Sequence, residues 1–381
     1  MQVDLNNEFP HRHGLIYLNH AAVGVWPKRT ADTIKAFAEE NMRQGAADYP
    51  HWMGVERRLR KRLAWLVNAP SSDDIALLKN TSEGLSLIAA GISWQAGDRI
   101  VISNQEFPSN RIVWQSLAGQ GGELVQADLS GPDPEAALLA ACNARTRLLS
   151  ISSVQYATGL RMDLERLGRH CAAHGILFCV DAIQSLGAVA FDAQACRADF
   201  VVADAHKWML GPEGIAVFYA TPQARDRLSL QQFGWHMVEQ AGDFDQLEWQ
   251  PASSARRFEP GSPNTLGIHA LDASLSLFEQ MGMAAVEQLV MQKAAWLITW
   301  IQSQPDLELV TAAEPARHAG IISFRCRDLD RAAHERLYRA LMAAGVICAC
   351  RGGAIRFSPH CYANLEPLPA AWQRVRESGG F

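Results

Sequence analysis

Lys207 lies in Asp204-Ala205-His206-Lys207-Trp208, between the apolar run Phe200-Val201-Val202-Ala203 and the turn Gly211-Pro212. Upstream, a second apolar run, Gly175-Ile176-Leu177-Phe178-Cys179-Val180, ends in Asp181, and Gln184 follows three residues on. A carboxylate that closes a fully apolar strand needs a partner, because an isolated buried charge is very costly. Arg356, in Gly353-Ala354-Ile355-Arg356-Phe357-Ser358, is also a charge inside an apolar segment, and a guanidinium there calls for a bidentate carboxylate. Thr81 and Ser82 stand where Ile75-Ala76-Leu77-Leu78 runs into a helical stretch. Free amides and the positive end of the helix dipole at such a junction hold phosphate well, and two hydroxyls add donors.

An amine at one strand end and a carboxylate at the next suit pyridoxal 5'-phosphate (PLP), whose aldehyde needs an amine and whose ring nitrogen needs an anion. Asp181 would keep that nitrogen protonated, and Gln184 would donate to the phenolic oxygen. Phe107, in Glu106-Phe107-Pro108-Ser109-Asn110, would lie flat on the ring. Arg356 would take the carboxylate of an amino-acid substrate. Each residue also has a plainer use. Thr81 and Ser82 could be an N-cap, Phe107 a core residue, Asp181 a cap or ion pair, Arg356 the partner of an Asp or Glu, and Lys207 a solvated loop residue.

These residues need elements that bring them together. Short apolar strands are expected at 75–78, 99–103, 147–152, 176–181, 200–203 and 214–219, with helices between, such as 85–92 and 164–174. Such alternation indicates an α/β protein with a mainly parallel sheet covered on both faces. Ligands of such sheets bind beyond the carboxyl ends of the strands, where Thr81, Asp181 and Asp204 fall. After Pro260-Gly261-Ser262-Pro263 the pattern changes to two long helices and a smaller α+β unit, with a hairpin of 346–350 and 354–358 around Arg351-Gly352-Gly353. This gives an N-terminal segment 1–22, a large domain 23–262 and a small C-terminal domain 263–381.

Composition removes several function classes. With 381 residues, 48% hydrophobic and 20% charged, the chain can bury a large core. The net charge of −5 and the lack of long basic runs argue against nucleic-acid binding. The densest basic stretch, Arg57-Arg58-Leu59-Arg60-Lys61-Arg62, reads as the solvated face of an amphipathic helix. No apolar run reaches the length of a membrane span, and no secretory signal is visible. Eight cysteines in apolar surroundings, without zinc or redox spacing, suit a reducing cytoplasm. His11-Arg12-His13 lacks the further ligands a metal site would need, and Gly119-Gln120-Gly121-Gly122 reads as a turn.

Val180-Asp181-Ala182-Ile183-Gln184-Ser185, His206-Lys207-Trp208 and Arg257-Phe258-Glu259-Pro260-Gly261-Ser262-Pro263-Asn264, in this order and spacing, carry a resemblance. From Tyr17 to beyond Arg356 the chain resembles the class V aminotransferase family of fold-type I PLP enzymes, which includes cysteine desulfurases, kynureninase and isopenicillin N epimerase. The resemblance implies a mainly parallel seven-stranded sheet sandwiched by helices. It implies a Schiff base at Lys207, His206 beside the cofactor, Asp181 on the ring nitrogen and Gln184 on the phenolic oxygen. It also implies a phosphate on Thr81 and Ser82, Phe107 over the ring, and a substrate carboxylate on Arg356 helped by Arg351. Ser262 would reach the phosphate of a neighbouring subunit, which implies a homodimer.

The chain also departs from that family. Where group II desulfurases carry a nucleophilic cysteine on a mobile loop, a tight hairpin stands here, with Cys348 and Cys350 as packed strand residues. Phe107 replaces a ring-stacking histidine, Ser153 an asparagine near the cofactor, and Asp204 a serine or threonine that helps hold the phosphate. Asp204 is expected to point away or to orient His206. The resulting expectation is a class V aminotransferase-type enzyme acting on an amino acid. The alternatives are a desulfurase-like C–S or β-eliminating lyase and an amino-acid epimerase. The retained Lys207, Asp181 and Arg356 argue against a PLP-binding protein without catalysis.

Overall fold

The computed structural model describes residues 3–378. Seven strands form one sheet: β1 (Ile75–Leu78), β2 (Asp98–Ser103), β3 (Gly122–Ala127), β4 (Thr146–Ser152), β5 (Leu177–Asp181), β6 (Phe200–Asp204) and β7 (Ala216–Ala220). Their order is β1-β7-β6-β5-β4-β2-β3. β7 runs antiparallel to both neighbours, and the other adjacent pairs are parallel. The central strands are continuously apolar because helices cover both faces. On β6, Val201 and Ala203 join one core cluster, while Phe200 and Val202 join the other with Leu85, Ile88 and Trp114. β3 escaped the sequence reading because this edge strand, Gly-Glu-Leu-Val-Gln-Ala, is half exposed and has no apolar run.

The smaller unit is a four-stranded antiparallel sheet of β8 (Leu307–Leu309), β9 (Ile322–Cys326), β10 (Ala349–Arg351) and β11 (Ala354–Phe357), ordered β10-β11-β9-β8. The expected hairpin arm 346–350 is divided. Val346–Ile347 leaves to pair in parallel with Ile16–Tyr17, so only Ala349–Arg351 faces β11. The change of core also falls later than residue 263. Helix Thr265–Met281 places Ile268, Leu271, Leu275 and Phe278 in the core of the large sheet. The next helix, Met283–Gln302, spans the divide: Val286 and Val290 pack there, whereas Ala294, Leu297 and Ile301 pack on the small sheet. Pro260–Pro263 is therefore the lead-in to a helix of the large unit.

The basic stretch on helix Tyr49–Val67 exposes Arg57, Arg58 and Lys61 as expected, but it also makes specific ion pairs. Arg58 and Arg62 both bond Asp272 on helix Thr265–Met281. Arg60 forks onto Glu259 at 2.6 and 2.7 Å and donates to Ile75 O, while Glu259 accepts from Leu77 N at 2.8 Å. This pair thus satisfies the outer backbone groups of edge strand β1, which would otherwise invite pairing with another chain. Among the described residues, no helix is long and apolar enough to cross a membrane. Glu259→Gln leaves Arg60 with Glu56 alone and weakens the acceptor for Leu77 N–H, so it is expected to cost about 1–3 kcal/mol in urea unfolding. A midpoint equal to that of the parent protein would mean that the pair does not secure the edge.

Candidate active site

β5 and β6 are parallel neighbours in which Asp181 lies opposite Val202, so Asp181 and, two residues further along its strand, Asp204 both fall at the carboxyl edge of the sheet. A cavity of about 220 Å³ opens there, walled by Asp181, Asp204, Lys207, Phe107, Tyr156 and Arg356 among others. Lys207 reaches it from a turn whose shape is fixed on several sides. Gly211 N donates to Ala205 O across the turn, Ala205 N donates to Ile215 O, and Leu210 adopts a left-handed φ of 57°. Trp208 is fully buried; its Nε1 donates to Gln184 Oε1 at 2.8 Å, and its carbonyl oxygen lies 3.0 Å from His360 Nε2. From the N-terminal segment, Gly24 N donates to His206 O at 2.6 Å. Gly24 packs so closely that a Cβ there would overlap the Lys207 carbonyl oxygen.

The charges in this cavity are poorly served by the rest of the protein. Asp181 accepts one hydrogen bond, from Ile183 N at 3.1 Å. Burial pushes its pKa up, against the pull of that amide and of Lys207. Burial pushes Lys207 down, with Asp181 pulling the other way. Arg356 is 2% exposed, donates from one terminal nitrogen to Tyr156 O at 2.7 Å, and leaves Nε buried without a partner. Burial, then repulsion from Arg351, lowers its pKa to about 9. Among the described residues no carboxylate pairs with Arg356, so the structural ion pair considered from the sequence is absent.

Phe107 is 41% exposed, which removes its reading as a core residue. It meets Tyr156 edge-on at 5.2 Å, and Lys207 Nζ lies 5.5 Å from its ring centroid. Its loop is pinned by Glu106, a buried carboxylate that accepts from Ser103 Oγ, Asn110 Nδ2, Ser152 N, Ser152 Oγ and Gln155 Nε2. The sequence reading passed over Glu106; the signal was an acid at a strand end with an amide four residues on. Tyr156 and Ser109 also line the cavity and were missed, since loop position alone does not mark them.

The other expected residues divide into two groups. Thr81, Gln184, His206 and Arg351 line the cavity with Lys207. Gln184 Nε2 already donates to Ala21 O at 3.1 Å, which leaves its amide one further hydrogen. Ser82 faces an adjoining cleft and touches this one through Ser109, 2.9 Å from oxygen to oxygen. Ser262 lines a different cleft, with Lys79 and Gly214. Ser153 turns away, bonding Ser185 and the Asp181 carbonyl. Asp204 does not point away: it lines the cavity, accepts from Thr81 N, and lies 3.7 Å from His206 Nδ1. None of the eight cysteines lines the cavity, and burial raises Cys348 and Cys350 to about 12 and 11.

A model of the aminotransferase class-V family matches residues 16–368. A probable cysteine desulfurase of Methanothermobacter thermautotrophicus is 28% identical over 401 aligned residues, covering 99% of this chain and 98% of that one. A cysteine desulfurase of Klebsiella pneumoniae is 30% identical over 81% of this chain and 77% of its own length. Among solved structures, the cystine C-S lyase C-DES in complex with its product cysteine persulfide superposes with a TM-score of 0.88. It is 22% identical and covers 96% of this chain and 98% of its own. The cysteine desulfurase CsdA of Escherichia coli gives 0.86 at 21% identity, covering 99% of both chains.

The residues present fit PLP. Asp181 is a buried carboxylate lacking a cation of its own, Lys207 offers a buried amine in the same cavity, and Phe107 exposes an aromatic face beside it. Borohydride reduction of the purified protein should fix the cofactor on the peptide that contains Lys207, read by mass spectrometry. Lys207→Ala should fix none; cofactor trapped on another lysine of that variant would remove Lys207 from its role.

Proposed function

The chain belongs to the class V aminotransferase family and uses PLP, and on that premise we propose that it removes the Cα proton of an amino acid held by Arg356, in a transamination-type reaction. The observation that carries this reading is Arg356 itself: a guanidinium 2% exposed, at the wall of the Lys207 cavity, with no acid of its own. A substrate carboxylate supplies the missing partner in bidentate geometry, and Arg351 adds charge at the rim. PLP, when bound, supplies the electron sink for charge that develops at Cα.

The remaining work falls to the chain's own groups. Asp181 holds a proton on the ring nitrogen, as a buried carboxylate without another cation is suited to do. Lys207, whose amine is made easier to deprotonate by burial, takes the Cα proton and returns one. Phe107, which lines the cavity, would offer the ring an apolar face and has no proton to move. Ser262 lies outside its own chain's cavity, which suits a contact with a neighbouring subunit in a homodimer. A second reading, a C–S or β-eliminating lyase, is favoured by the names of the relatives. It too can proceed without an enzyme thiol, and burial of Cys348 and Cys350 disfavours transfer of sulfur to the protein.

A panel of amino acids offered without a keto-acid acceptor separates these readings. A keto acid formed in an amount equal to the enzyme, then no further turnover, is expected. Continuous release of pyruvate and sulfide from cysteine would establish the lyase, and alanine with a protein persulfide would establish sulfur transfer. Arg356→Gln is expected to lower kcat/KM by about a hundredfold or more, since it removes two charge-assisted hydrogen bonds to the substrate.

A further inference from the structure

Asp204 closes β6 at the wall of the Lys207 cavity, with its side chain 12% exposed. Its Oδ2 accepts from the N–H of Thr81, the first residue of helix Thr81–Gly91, at 3.3 Å. Its own N–H donates back to Thr81 Oγ1 at 3.0 Å. Its Oδ1 lies 3.7 Å from His206 Nδ1, a buried nitrogen with no hydrogen-bond partner. A carboxylate is stable at a helix N-terminus. The phosphate of PLP, however, is expected at the same helix end. Two anions then face one positive pole, and like charges in a partly dry site repel strongly.

The other charged groups of the cavity are Asp181, Lys207, Arg351 and Arg356. Asp181 and Lys207 serve the ring of the cofactor, and the two arginines serve the substrate carboxylate. His206 is the remaining group able to offset Asp204. We propose that Asp204 is a positioning residue that pairs with His206 as imidazolium, so that a neutral carboxylate–imidazolium couple stands beside the cofactor phosphate. The couple occupies the Thr81 amide and leaves the hydroxyl hydrogens of Thr81 and Ser109 to the phosphate. This inference rests on PLP binding alone and is independent of which substrate bond breaks.

The test is a double-mutant cycle read as PLP affinity in reconstitution of the cofactor-free protein, followed by cofactor absorbance. His206→Gln leaves Asp204 uncompensated and is expected to weaken PLP about a hundredfold. In the Asp204→Asn background, which keeps an acceptor for Thr81 N–H, the same His206 change is expected to cost about tenfold or less. Equal losses in the two backgrounds would overturn the pairing. Urea midpoints of the four cofactor-free proteins separate binding from folding, and His206→Asn replaces His206→Gln in the cycle if the latter does not fold.

Discussion

One hydrogen bond, from Trp208 Nε1 to Gln184 Oε1, joins the two strand-end loops on which the chemistry depends. Gln184 follows Asp181 by three residues, and Trp208 follows Lys207 directly. Acid and amine are therefore held at a fixed spacing by neighbours that take no part in bond breaking. Through its other amide atom Gln184 extends the tie to Ala21 O, and the N-terminal segment is set against the same frame. A buried indole N–H without an acceptor costs about 1–3 kcal/mol, so neither loop shifts freely without the other.

Around that frame, burial moves each principal charge toward its neutral form: Asp181 upward, Lys207 downward and Arg356 downward. Such stress contributes nothing to folding. It marks groups whose partners within the chain are incomplete, a pattern that clusters at functional sites. The contrast lies at edge strand β1, where Arg60 and Glu259 are fully paired. The first set of charges is organised for binding and the second for the scaffold.

The central strands and the residues at their ends were legible because buried parallel strands are apolar runs and an acid or amine closing one is conspicuous. Asp181, Lys207, Thr81 and Gln184 meet in one cavity for that reason. Edge strand β3 was not legible, since a half-exposed strand lacks the run that marks it. Loop residues such as Tyr156 have no periodicity to betray them. The ion pairs of the arginine stretch 57–62 were not legible because sequence gives charge and spacing but not the acids about 200 residues away that meet it. The change of core was not legible for a similar reason: a Pro-Gly turn marks a break in the chain but not a change of core, which here occurs midway along one helix.

The parallel pairing of Ile16–Tyr17 with Val346–Ile347, continued by contacts of Leu18 and His20 with Ser358, has a temporal meaning. The segment that presses on the Lys207 turn is synthesised long before its partner strand. During synthesis β2 to β6 can pair early, since they are near neighbours in the chain, and β1 joins when β7 emerges. The cover of the active site must wait for the C-terminal unit, because contacts between distant segments form late. A ribosome-bound chain can thus own all of Asp181, His206 and Lys207 and still lack the geometry that makes them a site.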